Sequence, residues 1–166
     1  MDAIDVSIII LTKDAGSNFK LLLERIYSQE VDGRYEVLVI DSGSTDDTLS
    51  ITKEFPAKIA QIKPEEFHHG KTRNLGAELS CGSILVYITQ DALPLGNDWL
   101  QKLVDNLKDP RVAMVCGRQI AWPTTKPPEK FFYVYNFPLQ KIVIAPRASN
   151  YYHANIFIST VNSAMR

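Results

Sequence analysis

Three polar clusters in this chain each follow an apolar run, and their residue types suit binding or catalysis. Thr12-Lys13-Asp14-Ala15-Gly16 follows Val6–Leu11. Asp41-Ser42-Gly43-Ser44-Thr45-Asp46-Asp47 follows Glu36–Ile40. Gln90-Asp91-Ala92 follows Ile84–Thr89. Asp, Ser and Gly also make turns and helix caps, and that plain reading suits Ser44 to Asp47. Asp41 and Asp91 differ, because each closes an apolar run. A carboxylate in such a place needs a partner, a cation or a ligand. A fourth stretch, Phe67-His68-His69-Gly70-Lys71-Thr72-Arg73-Asn74, puts two His, a Lys and an Arg at the opening of a helical pattern. Cations are unfavourable at a helix N-terminus unless an anion sits there, so Lys71 and Arg73 point to phosphate binding rather than to a solvated basic turn. Adjacent His68 and His69 do not make a metal pair, for which helices prefer i, i+4 spacing.

The elements that must position these residues follow from periodicity. Val/Ile-rich runs at Val6–Leu11, Glu36–Ile40, Ile84–Thr89 and Val112–Cys116, with a weaker one at Lys58–Ile62, read as buried parallel strands. Phe19, Leu22, Leu23, Ile26 and Tyr27 make one helical stripe. Thr48 to Phe55 makes a second, with Ser44 and Asp47 as a capping box and Pro56 as its stop. Further helices are expected from about Lys71 to Ser80, and over Leu100–Leu107 with a cap near Asn97 or Asp98. This alternation implies an α/β fold on a mostly parallel sheet, with ligands bound outside the carboxyl ends of its strands. After Gly117 the Pro pairs break the pattern. Residues 118–153 read as an irregular basic-aromatic segment, and Asn155–Arg166 as a strand.

Composition narrows the classes. The 166 residues, 45% hydrophobic and 22% charged, fit one globular domain. The net charge of −1 argues against a general nucleic-acid binder. That balance is uneven, with 11 basic and 18 acidic side chains in residues 1–110 but seven basic and only Glu129 acidic afterwards. Neither G-x-G-x-x-G nor a P-loop occurs, against a dinucleotide dehydrogenase or a P-loop NTPase. Cys81 and Cys116 form no C-x-x-C pair and are expected to be buried reduced thiols, as suits the cytoplasm.

At these residues the chain resembles glycosyltransferase family 2. Val6-Ser7-Ile8-Ile9-Ile10-Leu11-Thr12 resembles the family's first strand and nucleotide-binding turn. Val37 to Asp46 resembles the second strand with its D-[DS]-x-S-x-D signature, and Gly70 to Gly76 the basic helix start. Thr89-Gln90-Asp91-Ala92 lies where the metal-binding D-x-D normally falls, with Thr89 in place of the first acid. Together with Gly117-Arg118-Gln119, these stretches are similar to rhamnosyltransferase-like members, which use dTDP-L-rhamnose.

The resemblance implies one GT-A domain, Rossmann-like with a mostly parallel sheet. Residues 1–117 would form its nucleotide-sugar half and 118–166 the start of its acceptor half. It implies inverting transfer of a sugar from a dTDP or UDP donor to a hydroxyl of a glycan or lipid-linked acceptor, in polysaccharide biosynthesis. Thr12 and Asp14 would line the nucleoside pocket, and Asp41 would accept from the base imide. Arg73 would bind near the diphosphate or hold the Asp91 loop. Ser42, His69, Lys71 and Gln90 complete the substrate-binding set. Asp91 would ligate Mg²⁺ or Mn²⁺. The family's catalytic base is expected beyond Arg166, since neither Glu129 nor His153 matches its motif. A cytoplasmic location at the inner face of the membrane is expected. The rivals are a nucleotide-sugar-binding module without turnover and a sugar-nucleotide pyrophosphorylase. The latter needs a Gly-rich basic loop after the first strand, where Leu11–Asn18 has one Gly and one Lys.

Overall fold

The computed structural model describes residues 4–143 and 159–166. Its centre is β1 (Val6–Thr12), whose Ile8, Ile9 and Ile10 are fully buried, as an unbroken apolar run demands of a strand covered on both faces. Beside it lie β2 (Tyr35–Asp41) and, further out, β3 (Lys58–Gln61). On the other side lie β4 (Ile84–Ile88), β6 (Asn162–Met165) and β5 (Met114–Cys116), giving the order β3-β2-β1-β4-β6-β5. β6 runs antiparallel to both neighbours, and the other pairings are parallel. The expected mostly parallel α/β sheet is therefore present.

Helices cover both faces. Phe19, Leu22, Leu23 and Ile26 of α1 (Asn18–Tyr27) and Leu100, Leu103 and Leu107 of α4 (Trp99–Leu107) pack with Val6, Ile8 and Ile10. α2 (Thr48–Thr52) lies beside α1. On the opposite face α3 (His69–Leu79) covers Ile9 and Ile40. Gly76 makes that approach possible, because a Cβ there would sit 2.6 Å from Ile9 Cγ2. The close packing explains a glycine in mid-helix, where it costs about 1 kcal/mol against Ala.

Three expectations need correcting, and a fourth is described only in part. Residues 118–153 are not wholly irregular, since α5 spans Pro127–Asn136. Pro127 and Pro128 open this helix rather than break it, because the first turn needs no N–H donor there and proline's fixed φ suits it. α2 ends at Thr52, and its start is held by Asp46 rather than by a Ser44/Asp47 box. Asp46 accepts from Thr48 N (3.0 Å) and Thr48 Oγ1 (2.5 Å), while the Asp47 side chain makes no cap bond. Cys81 is exposed and Cys116 half-buried, both as free thiols. Cys81 occupies the polar turn between α3 and β4, outside either apolar cluster. The expected final strand is described only at Asn162–Met165. Its start at Asn155, with Arg147 and His153, lies outside the described residues.

One carboxylate ties three strands together. Glu36 on β2 accepts from Ser7 Oγ of β1 at 2.6 Å and from Cys81 N, just before β4, at 2.7 Å. It also pairs with Lys58 of β3 at 2.6 Å. Burial pushes the Glu36 carboxyl up. The Lys58 ammonium, the Ser7 hydroxyl and the Cys81 N–H outweigh it and hold the group below the ordinary carboxylate range. A lowered folded-state pKa means stability that is present above the unfolded pKa and lost as pH falls through the folded value. Glu36→Ala is expected to lower unfolding stability by about 2 kcal/mol at neutral pH. It should also flatten the acid limb of the stability curve below about pH 4, and denaturant titrations at several pH values check both.

Candidate functional site

The carboxyl ends of β1, β2 and β4 converge as their order requires. β1 pairs with β2 along its full length, to Thr12↔Asp41, but with β4 only as far as Ile9↔Tyr87. Past that point the sheet opens. A cavity of about 280 Å³ occupies the opening, lined by Leu11, Thr12, Lys13, Ser42, Pro64, Phe67, His69, Arg73, Thr89 and Gln90. This is the crevice where the strand order reverses, the usual ligand position in open α/β sheets. A larger, more open hollow of about 420 Å³ lies against Gln29 to Asp32 and Gln101. Its amides are engaged within the fold, Gln29 with Gly96 O and Leu100 N, and Gln101 with Asp32 N.

Asp41 ends β2 and is wholly buried. Its Oδ2 accepts from Gly43 N (3.1 Å) and Ser44 N (3.0 Å), and its Oδ1 from Ser44 Oγ and from Thr12 Oγ1 (3.3 Å). The four donors fill the carboxylate, and Asp41 does not line the cavity. Its neighbours do. Ser42 is buried and donates its hydroxyl to Thr12 O at 3.0 Å. Gly43, at φ +86°, turns the chain so closely against Pro64 that a Cβ would lie 2.7 Å from Pro64 Cγ.

The β1–α1 turn is laced to the β2–α2 loop. Asp14 adopts φ +45°, a left-handed conformation that Asp tolerates better than most residues. Its N–H donates to Ser44 Oγ (2.9 Å), and its carboxylate accepts from Thr45 N (2.7 Å) and Thr45 Oγ1 (3.2 Å). Asp46 accepts from Gly16 N at 3.0 Å. The Thr48 hydroxyl, then the Thr48 and Gly16 N–H groups, hold the Asp46 carboxyl below its ordinary value.

α3 brings the basic residues. His68 caps it, with Nδ1 accepting from Gly70 N (3.2 Å) and Lys71 N (3.5 Å). Pattern alone misses this role, because His is not among the favoured cap types. His69 packs edge-on against Phe67, ring centroids 5.0 Å apart, and both line the cavity. Arg73 donates to His69 O (2.9 Å) and to Thr160 Oγ1 (3.0 Å), which secures the approach to β6. Burial raises the Tyr87 hydroxyl, although the Arg73 charge works against it, and that hydroxyl donates to Arg73 O at 2.9 Å. Lys71 is exposed and does not line the cavity.

After β4, the Thr89 hydroxyl is buried without a partner and lines the cavity. In the sequence, Thr89 reads only as a lost acid. Gln90 lines the cavity and bonds the Lys13 backbone, and Asp91 beyond it is exposed. None of the ten lining residues is acidic, whereas Lys13 and Arg73 are cationic. The cavity therefore favours an anion. A divalent cation fits this donor set only in part. Among the described residues no three His, Cys, Asp or Glu converge, and a hard ion wants about six oxygens. Asp91 can supply one, and the rest must come from water or from a ligand's phosphates.

The sequence carries the match that decides the family. Residues 7–160 fit the glycosyl transferase family 2 model. The chain belongs to that family. It is 33% identical over 140 residues to the O-antigen chain rhamnosyltransferase RfbN of Salmonella typhimurium, covering 83% of this chain and 44% of that protein. It is 40% identical over 86 residues to the O-antigen chain rhamnosyltransferase WbaN of Salmonella anatum, covering 51% and 27%. The chain thus spans less than half the length of these relatives. A solved structure of the mannosyltransferase PcManGT from Pyrobaculum calidifontis, in complex with GDP-Man and Mn²⁺, superposes with a TM-score of 0.61 at 25% identity over 81% of this chain and 39% of that one. Staphylococcus aureus TarS 1-349 in complex with UDP-GlcNAc shares the fold at a TM-score of 0.61 and 20% identity, over 75% and 37%. The fold of this family 2 chain is GT-A.

Asp41→Asn would turn an amide N–H₂ or a weaker acceptor toward donors that now meet a carboxylate. It is expected to lower unfolding stability by about 2 kcal/mol. A denaturant midpoint unchanged from wild type would remove the carboxylate from its place as the organiser of this site.

Proposed function

We propose that this chain forms the donor-binding half of an inverting glycosyltransferase, binding a nucleoside diphosphate sugar in the β1/β4 crevice. The observation that carries the reading is a switch-point cavity with Arg73 and an unpartnered Thr89 hydroxyl in its wall and no acid lining it. The donor is dTDP-L-rhamnose or a related dTDP- or UDP-sugar. The O-antigen rhamnosyltransferase relatives support this, and a glycan or lipid-linked saccharide fits as acceptor.

In this reading the nucleoside lies against Thr12, Ser42, Phe67 and His69. Asp41 and Asp14 work from behind, holding the loops that carry those contacts. The diphosphate meets Arg73, Thr89 and Lys13, and Lys71 adds positive charge at the start of α3. As the acceptor oxygen bonds to the sugar's anomeric carbon, the bond from that carbon to the diphosphate breaks and its electron pair leaves with the phosphate. Cationic and hydroxyl donors placed where that charge develops stabilise departure. Mg²⁺ or Mn²⁺, held by Asp91 together with the donor's phosphates, would add charge neutralisation. The proton of the acceptor hydroxyl goes to a general base that is none of these residues.

Calorimetry with dTDP and UDP, with and without Mn²⁺, tests the site. Binding is expected to tighten with Mn²⁺, Arg73→Ala to weaken it at least about tenfold, and Asp91→Ala to abolish the Mn²⁺ effect. Absence of binding under all conditions, or tight Mn²⁺ binding without nucleotide, would contradict it.

The acceptor is presented at an anionic membrane face in this reading. Residues 118–143 expose Trp122, Phe131, Phe132, Tyr135 and Leu139 and carry Arg118, Lys126, Lys130 and Lys141 against Glu129. Each such cation near an anionic leaflet contributes about 1 kcal/mol. No helix among the described residues is long and apolar enough to cross a membrane, so surface attachment is the mode to test. Co-sedimentation with anionic vesicles is expected at low salt and not at high salt. Charge reversal at Lys126, Lys130 and Lys141 should abolish it, and absence of binding at low salt would overturn the assignment.

A further inference from the structure

The opening between β1 and β4 is bridged by one side chain. Lys13 N donates to Gln90 Oε1 at 2.9 Å, and Gln90 Nε2 donates to Lys13 O at 3.1 Å. The two residues are 77 positions apart. A primary amide presents an acceptor and a donor side by side, as a strand residue's own C=O and N–H do along a sheet edge, so this pair imitates a rung of the sheet. It stands where the backbone ladder has ended. The last β1–β4 pair is Ile9↔Tyr87, and β4 itself ends at Ile88, which pairs with Asn162 of β6 on its other edge, with Thr89 N donating to Val161 O at 3.1 Å. The Gln90 amide thus supplies the hydrogen bonds that join the Thr89–Asp91 turn to the β1–α1 turn.

We infer that Gln90 is a positioning residue, a strut that fixes the phosphate-side wall of the crevice at a set distance from the nucleoside-side wall. This departs from its expected place among the ligand contacts, because the atoms that could bind a ligand already clamp the Lys13 backbone. The strut acts on Thr89, whose buried hydroxyl has no protein partner, and on Asp91, the next residue along. Both must face the same diphosphate while Thr12 and Ser42 face the nucleoside. A wall that drifts by an ångström loses the first contacts and keeps the second. The inference rests on the nucleotide-site reading for its ligand, but the strut itself can be seen without one.

The experiment compares wild type, Gln90→Ala and Gln90→Glu in the same chain. Hydrogen exchange at the Lys13 amide reads the strut with no ligand present. Protection is expected in wild type and loss of it in Gln90→Ala. An unprotected Lys13 amide in wild type overturns the strut whatever the site binds. Calorimetry then measures thymidine and dTDP separately. For Gln90→Ala, dTDP affinity is expected to fall about tenfold while thymidine stays within about twofold. Gln90→Glu keeps the acceptor for Lys13 N but sets an oxygen against Lys13 O, so its dTDP affinity should fall between those of the other two. Equal losses for thymidine and dTDP would show general loosening and overturn the inference, as would an unchanged ratio. If Lys13 is protected but wild type binds neither ligand, the nucleotide reading fails, and the strut's role in placing a diphosphate falls with it.

Discussion

A buried carboxylate cannot stay charged and unpaired, and the architecture around Asp41 follows from that constraint. The side chain is fully enclosed at the end of β2. Its donors come from two sides: the Thr12 hydroxyl from β1, and the Gly43 and Ser44 N–H groups with the Ser44 hydroxyl from the loop ahead. Gathering them sets the end of β1 against the end of β2 and curls residues 43–44 back over the strand. Curling places Gly43 against Pro64, and so fixes the short Pro64–Glu66 turn that leads to Phe67 and α3. Ser44 also receives Asp14 N, which carries the order into the β1–α1 turn. The nucleoside-side wall of the crevice is thus a consequence of satisfying one charge.

The other wall depends on sheet topology. β1 has parallel neighbours on both sides, and its two ladders differ in length. β2 accompanies it to the end, whereas the ladder to β4 stops at Tyr87, one residue before β4 itself ends at Ile88. The cavity occupies the space this shorter strand leaves beside the end of β1, and Gln90 and Arg73 line it. Arg73 reaches from α3 to Thr160 while its own carbonyl holds the Tyr87 hydroxyl, so helix, β4 and the approach to β6 move together. Cationic and hydroxyl groups are left lining the space, with the acids behind the wall or beyond it.

Much of this is legible in the sequence. Central strands show as unbroken Val/Ile runs because both faces are covered, and α1 and α4 show as clean stripes because only one of their faces is. The polar residues ending β1, β2 and β4 share one edge as expected, since parallel strands leave no other arrangement. Direction and saturation do not show in a pattern. Asp41 and Ser42 are adjacent, yet one is filled by protein donors and the other faces the cavity. That depends on a loop conformation set by Gly43. Thr89 reads as a missing acid, although its value lies in a hydroxyl that the fold leaves unpartnered. The Pro127-Pro128 pair signals a break when read along the chain, because its role as a helix start depends on residues 129–136 continuing the helix. His68 as a cap, and Cys81 on the surface rather than in the core, depend on local geometry that residue type does not encode.

The central claim is that the crevice between β1 and β4 is the seat of a nucleoside diphosphate. A crystal structure of the protein with dTDP and Mn²⁺ tests it most directly. The account predicts the base against Phe67 and His69, with Ser42 and Thr12 within hydrogen-bonding reach of the nucleoside. It also predicts diphosphate oxygens bonded to Arg73 and the Thr89 hydroxyl, with Asp41 still holding its four protein donors. Nucleotide seated in the hollow beside Gln29 and Gln101, or in the crevice with its diphosphate away from Arg73 and Thr89, would contradict it.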